Sequence, residues 1–198
     1  MKYLRIITPR SNGSKIMNKL SEKGAKSISC FLAEGLANAH ILEVLGIDKE
    51  KKEIVSALVN DNIIKEILDE IKDKFDKKNN SIMFTTPLDC KGEINMEYEA
   101  LYVIVDRANA DKVIEISQNE GAKGATVVHG RGSGIQKKSV FLNMTIEPEK
   151  DIVLMLIKKE ISERVKSAIY EAMNLDENSK GILFSIPVSD VRGLVEQN

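Results

Sequence analysis

Asp151-Ile152-Val153-Leu154-Met155-Leu156-Ile157 sets six consecutive apolar residues behind one carboxylate. A short apolar run with no polar alternation reads as a strand buried on both faces. Working outward, residues 160–173 carry Ile161, Val165, Ala168, Ile169 and Ala172 at the spacing of an amphipathic helix. Residues 181–188 then read as a strand. On the other side, 100–105 and 125–129 read as strands around a helix at 111–119. Asp111 stands where it could cap that helix, and Gly121 where a left-handed residue would end it. The order is βαββαβ, the ferredoxin-like split, with an antiparallel sheet and both helices on one face.

The same order recurs earlier in the chain, at a period near 97 to 101 residues. Ile7, Arg10, Asn12 and Lys15 find Ile104, Arg107, Asn109 and Lys112; Gly24-Ala25-Lys26 finds Gly121-Ala122-Lys123; Ile54-Val55 finds Ile152-Val153; Phe84 and Pro87 find Phe184 and Pro187. Strands at 4–8, 27–32, 53–59 and 81–87 and helices at 14–23 and 63–75 complete a first copy. The expected fold is α+β: two tandem ferredoxin-like (βαββαβ) modules with antiparallel sheets, over residues 1–94 and 95–198, with a seam near Gly92 to Met96. Helices cover only one face of each sheet, yet the strands do not alternate. The second face is therefore expected to be covered by another sheet or another chain.

Composition narrows the function. The 198 residues hold 29 Lys+Arg against 30 Asp+Glu, a net charge of −1, which excludes a general polyanion binder and gives no expectation of nucleic acid. A hydrophobic content of 42% excludes a disordered chain. Cys30 and Cys90 make neither a disulfide framework nor a metal-ligand spacing, and no segment reaches the length of a membrane span. A cytoplasmic protein is expected. No His or carboxylate pattern supports a Cys or Ser nucleophile, so no catalytic residue, no metal site and no enzyme activity are expected. His129 reads as a satisfied structural histidine, and Cys30 as a small buried apolar residue.

The glycines do suggest a ligand. Gly130, Gly132 and Gly134 leave a strand and enter a loop, with Arg131, Lys137 and Lys138 nearby. Successive glycines let backbone N–H groups turn inward around an anion. On spacing alone a glycine-rich hinge at the root of a loop is the better reading. No Walker-type or dinucleotide fingerprint is present. Within the loop, residues 140–146 alternate in a way that reads as an extra hairpin rather than a solvated tip.

Gly121-Ala-Lys-Gly-Ala-Thr-Val followed by His129-Gly-Arg-Gly-Ser-Gly resembles the second strand and loop root of the P-II nitrogen regulatory proteins. Lys180-Gly181-Ile182-Leu183-Phe184 with Pro187 is similar to that family's nucleotide loop and last strand. The resemblance implies a trimeric ferredoxin-like signalling protein of nitrogen or related metabolism. It would bind ATP, ADP or another anionic metabolite between subunits and regulate a protein partner such as a transporter or metabolic enzyme. The residues it implies for the ligand are Gly130, Arg131, Gly132, Ser133, Gly134, Lys180 and Gly181. Ser133-Gly134 stands where the family has Arg-Gln, and Asp176-Glu177-Asn178-Ser179 places carboxylates where the family has glycines. Two other outcomes are a structural or oligomerisation module without ligand and a metal-tolerance-type trimeric ferredoxin-like protein.

Overall fold

The structure, a computed structural model, describes residues 1–37, 50–76, 80–88, 97–131, 139–141, 144–146, 149–176 and 181–194. The seam at 92–96, Cys90 and residues 132–138 and 177–180 lie outside them. The described residues divide into two compact units. The division differs from the expected boundary at 94/95: residues 35–37 group with the second unit, and 187–194 with the first. Compactness follows which strands pair, whereas a sequence repeat follows linear order.

The first unit contains β1 (Lys2–Pro9), α1 (Gly13–Glu22), most of β2 (Lys26–Ala37), β3 (Glu50–Val59), a 3-10 turn (Asp61–Ile63), α2 (Ile64–Phe75) and β4 (Ile82–Pro87). Its strands lie in the order β2-β3-β1-β4. β1 is antiparallel to both neighbours, with Leu4 opposite Ala57 on β3 and Thr85 on β4. The apolar stripe of α2, Ile64, Ile67, Leu68 and Ile71, meets Ile16 and Leu20 of α1 and Leu4, Ile6, Val55, Ala57 and Val59 of the sheet. That core is the reason a helix with charge at nearly every other position stays folded.

The two helices are also tied by charge. Glu70 faces Lys19 at 2.9 Å, Lys23 at 3.2 Å and Lys74 at 2.7 Å. These lysines, Lys74 first, hold its carboxyl down at about 2. Its folded pKa is thus below the unfolded value, so its stabilising contribution is full above the usual carboxylate range and is lost as pH falls toward 2. Urea unfolding of Glu70→Gln across pH 2–6 is expected to show a flatter acid limb than wild type. Parallel curves would refute this.

The second unit contains β5 (Tyr98–Asp106), α3 (Ala110–Asn119), β6 (Gly124–Arg131), a hairpin of β7 (Ser139–Phe141) and β8 (Met144–Ile146), β9 (Glu149–Lys158), α4 (Lys159–Met173) and the first half of β10 (Gly181–Arg192). The strand order, β6-β9-β5-β10, repeats that of the first unit. Leu101, Val103 and Val105 of β5 and Val153, Met155 and Ile157 of β9 pack beneath Val113, Ile114, Val165 and Ile169 of the helices. The hairpin expected at 140–146 is present.

Local geometry also repeats. Ser11 and Ala108 are both left-handed, at φ 84° and 74°. Arg10 N–H donates to Lys51 O at 3.1 Å, and Arg107 N–H to Glu149 O at 3.2 Å. Gly121, at φ 96°, closes α3 as read from sequence, and Gly24, at φ 77°, closes α1 in the same way. Asp111 does not cap α3: Asn109 occupies the cap in a near-helical conformation without a side-chain bond, and Asp111 sits in the first turn.

The sheet faces turned away from the helices are unevenly exposed. Ile7, Ile54 and Leu154 belong to neither helix-facing core, yet are only 4–5% exposed. Ile152 and Leu156 are half-buried. At the edge of the second unit this face opens, with Ile182 and Phe184 exposed and Phe184 stacked on Tyr102 at 5.1 Å.

Candidate effector site

β6 and β9 run antiparallel, and their pairing sets the site. His129 lies opposite Asp151, Gly130 opposite Lys150, and Arg131 opposite Glu149. The end of β5 brings Asp106 and Arg107 beside the start of β9, where Lys150 pairs with Asp106 and Arg107 with Glu149. Arg107, His129, Gly130, Glu149 and Lys150 line a cleft of about 190 Å³.

Asp151 anchors this end of the sheet. It is 3% exposed. Its Oδ2 accepts the Ala108 N–H at 3.1 Å, and its Oδ1 lies 2.7 Å from His129 Nδ1. A buried carboxylate is tolerated when its lone pairs are filled in this way. The left-handed turn at Ala108 is thereby fixed, and Arg107 is aimed across the β9 terminus. His129 is structurally held, as expected, though still 43% exposed at its side chain. Glu149 raises the Arg107 pKa, chiefly by accepting its hydrogen bond.

Of the residues that the resemblance implies, Gly130 lines the cleft. Arg131 ends β6, and its side chain lies outside the described residues, as do Gly132, Ser133, Gly134 and Lys180. A Cβ at Gly130 would meet nothing within 4 Å, so packing does not demand glycine there. Gly181 differs: a Cβ there would come within 2.8 Å of Ile104 O and Leu175 Cδ2, so close packing explains this glycine. Gly130 and Gly181 occupy the same end of the sheet but are separated by three strand steps, roughly 14 Å. A small anion reaches one of them, not both.

Arg107, Asp106, Glu149, Lys150 and Asp151 were not read as site residues. Arg107 appeared only as a repeat match of Arg10, and the others carried no spacing signal. Among the described residues, no three His, Cys, Asp or Glu are grouped to hold a metal ion. No described helix is long and apolar enough to cross a membrane. Cys30 lies on β2 half-buried rather than fully enclosed, and burial, with the nearby Glu53 charge, raises its thiol pKa.

Two βαββαβ element sets, each with the same strand order and with antiparallel pairing, define a mixed α/β protein of ferredoxin-like type. Residues 98–197 match the nitrogen regulatory protein P-II family, and the chain belongs to that family. No curated protein matches it. Among solved structures, an unknown protein from Galdieria sulphuraria is similar at TM-score 0.30 and 9% identity, covering 95% of this chain and 98% of that one. A microcompartment protein from Desulfitobacterium hafniense DCB is similar at TM-score 0.28 and 9% identity, with 96% of each chain covered. A putative glycine cleavage system transcriptional repressor reaches TM-score 0.25 and 11% identity, covering 94% of this chain and 96% of that one. Likeness this slight carries no argument.

Proposed function

We propose that the protein is a cytoplasmic, non-enzymatic P-II-class regulator built from two copies of one ferredoxin-like module. The later copy binds a small anionic effector and thereby controls a protein partner. One observation carries the reading: a cleft with Arg107, His129 and Lys150 lies at the root of the glycine stretch, inside the residues that match the family. The cleft is smaller than the usual 300 Å³ or more of a drug-sized ligand pocket. It suits one oxyanion group. An adenine nucleotide would have to extend from it along the sheet end toward Gly181.

Isothermal titration with ATP, ADP and 2-oxoglutarate tests the reading. Saturable heat with at least one of them, abolished by Lys150→Ala, is expected; silence with all three would end it. A second reading, an oligomerisation module without ligand, is favoured by the open apolar edge at Tyr102, Ile182 and Phe184. Sedimentation of the same sample tells the two apart, since that module would assemble fully without effector.

A further inference from the structure

We infer that Glu149 is a built-in competitor for the effector, resting on the reading of the cleft as an effector site. The cleft is not electropositive as it stands. Arg107 and Lys150 are matched by three carboxylates, Glu149, Asp106 and Asp151. An incoming oxyanion would therefore meet repulsion unless one carboxylate withdrew.

Only one is placed to withdraw from Arg107. Asp151 is buried and committed to the Ala108 N–H and to His129. Asp106 is engaged with Lys150, whose side chain is only 14% exposed. Glu149 holds Arg107 through an open pair, with the two side chains 57% and 46% exposed for Arg107 and Glu149. Pairs this exposed are weakly held against water and salt. The Glu149 backbone is secured independently, because its carbonyl accepts the Arg107 N–H. Its side chain can therefore leave without unzipping the strand.

The Arg107 guanidinium, which pairs with Glu149 through Nη1, carries the donors to grip a free carboxylate or a phosphate oxygen pair. Glu149 thus occupies the place an effector's oxyanion would take, and binding is an exchange of one anion for another. Glu149 also opens β9 opposite Arg131, the residue where β6 gives way to the glycine stretch.

The test compares wild type, Glu149→Gln and Arg107→Gln by NMR titration with inorganic phosphate and with succinate, which separate phosphate from carboxylate preference, and with ATP. Glu149→Gln is expected to bind whichever probe wild type prefers roughly three- to tenfold more tightly, and Arg107→Gln to lose it. Equal or weaker binding by Glu149→Gln, with wild type still binding, overturns the competitor role and leaves the effector site standing. No binding by wild type or Glu149→Gln to any of the three overturns the site and the competitor together. Unchanged amide spectra away from the cleft in both variants exclude a folding defect as the cause.

Discussion

Replacing Gly193 with alanine is expected to cost about 3 kcal/mol of stability or more. Gly193 is left-handed at φ 81°, and a Cβ on it would lie 1.9 Å from Ser81 O. The obstacle is backbone, and it cannot yield easily. Ser81 is 2% exposed; its N–H donates to Asp76 Oδ1 at 2.9 Å and its hydroxyl to Thr8 Oγ1 at 3.1 Å. Asp76 is itself buried and its Oδ1 also accepts the Asn80 N–H at 2.8 Å, so moving Ser81 would strip a buried carboxylate of one of its hydrogen bonds. The alternative is for the chain to swing away after Arg192, which would surrender the Arg192–Met83 register between β10 and β4. Either route destabilises the first unit. Urea unfolding followed by circular dichroism should read the loss, and a change under about 1 kcal/mol would show that the close approach is not maintained in solution.

A second irregularity of β10 lies three residues before Gly193. Asp190 is left-handed at φ 52° inside a strand whose register shifts between Ser189 and Arg192. Its Oδ2 accepts from Lys2 at 2.5 Å and from Thr85 at 2.6 Å. Burial acts to raise its pKa, but Lys2 and Thr85 outweigh burial and hold the carboxyl below the usual range. A charged bond of this kind can hold a strand irregularity that apolar packing would not.

The fold was legible because its elements bury one face each. Period 3.6 in α2 and α4, and Val- and Ile-rich strands between them, follow directly from that burial. Gly121 was legible as a helix stop because a left-handed backbone favours glycine. Asp111 misled because capping preference is statistical, and here Asn109 takes the cap position with no side-chain bond. The unit boundary was not legible either. β10 runs through the division, its residues to Ile186 grouping with the second unit and those from Pro187 with the first, and nothing in Ile186-Pro187 announces it. The candidate site was legible only through Gly130 and its family motif. The Arg107–Glu149, Lys150–Asp106 and His129–Asp151 pairs span 42, 44 and 22 residues. They exist because antiparallel registers bring strand ends together, a relation that no local spacing records.

Asp151→Ala is the other substitution expected to have a large effect, about 2–4 kcal/mol. It strips the Ala108 N–H of its acceptor and His129 of its partner at a point that is 3% exposed. Water cannot readily replace the carboxylate there. The left-handed Ala108 turn, itself unfavourable for a residue with a Cβ, would lose what holds it. Arg107 is the next residue along, so effector binding should weaken together with stability. Asp151→Asn separates the two roles. Its side-chain oxygen can still accept the Ala108 N–H, while the charge facing His129 is gone. Hydrogen exchange at the Ala108 amide is expected to be fast in Asp151→Ala and close to wild type in Asp151→Asn, and denaturant unfolding should rank the three proteins in the same order. Equal protection in all three would mean that the turn is held by its neighbours and not by the carboxylate. The first unit offers an internal control, because Glu53 accepts the Gly13 N–H at 2.7 Å beside the left-handed Ser11. Glu53 is only half-buried, so water can take over that bond, and Glu53→Ala is expected to cost less than Asp151→Ala.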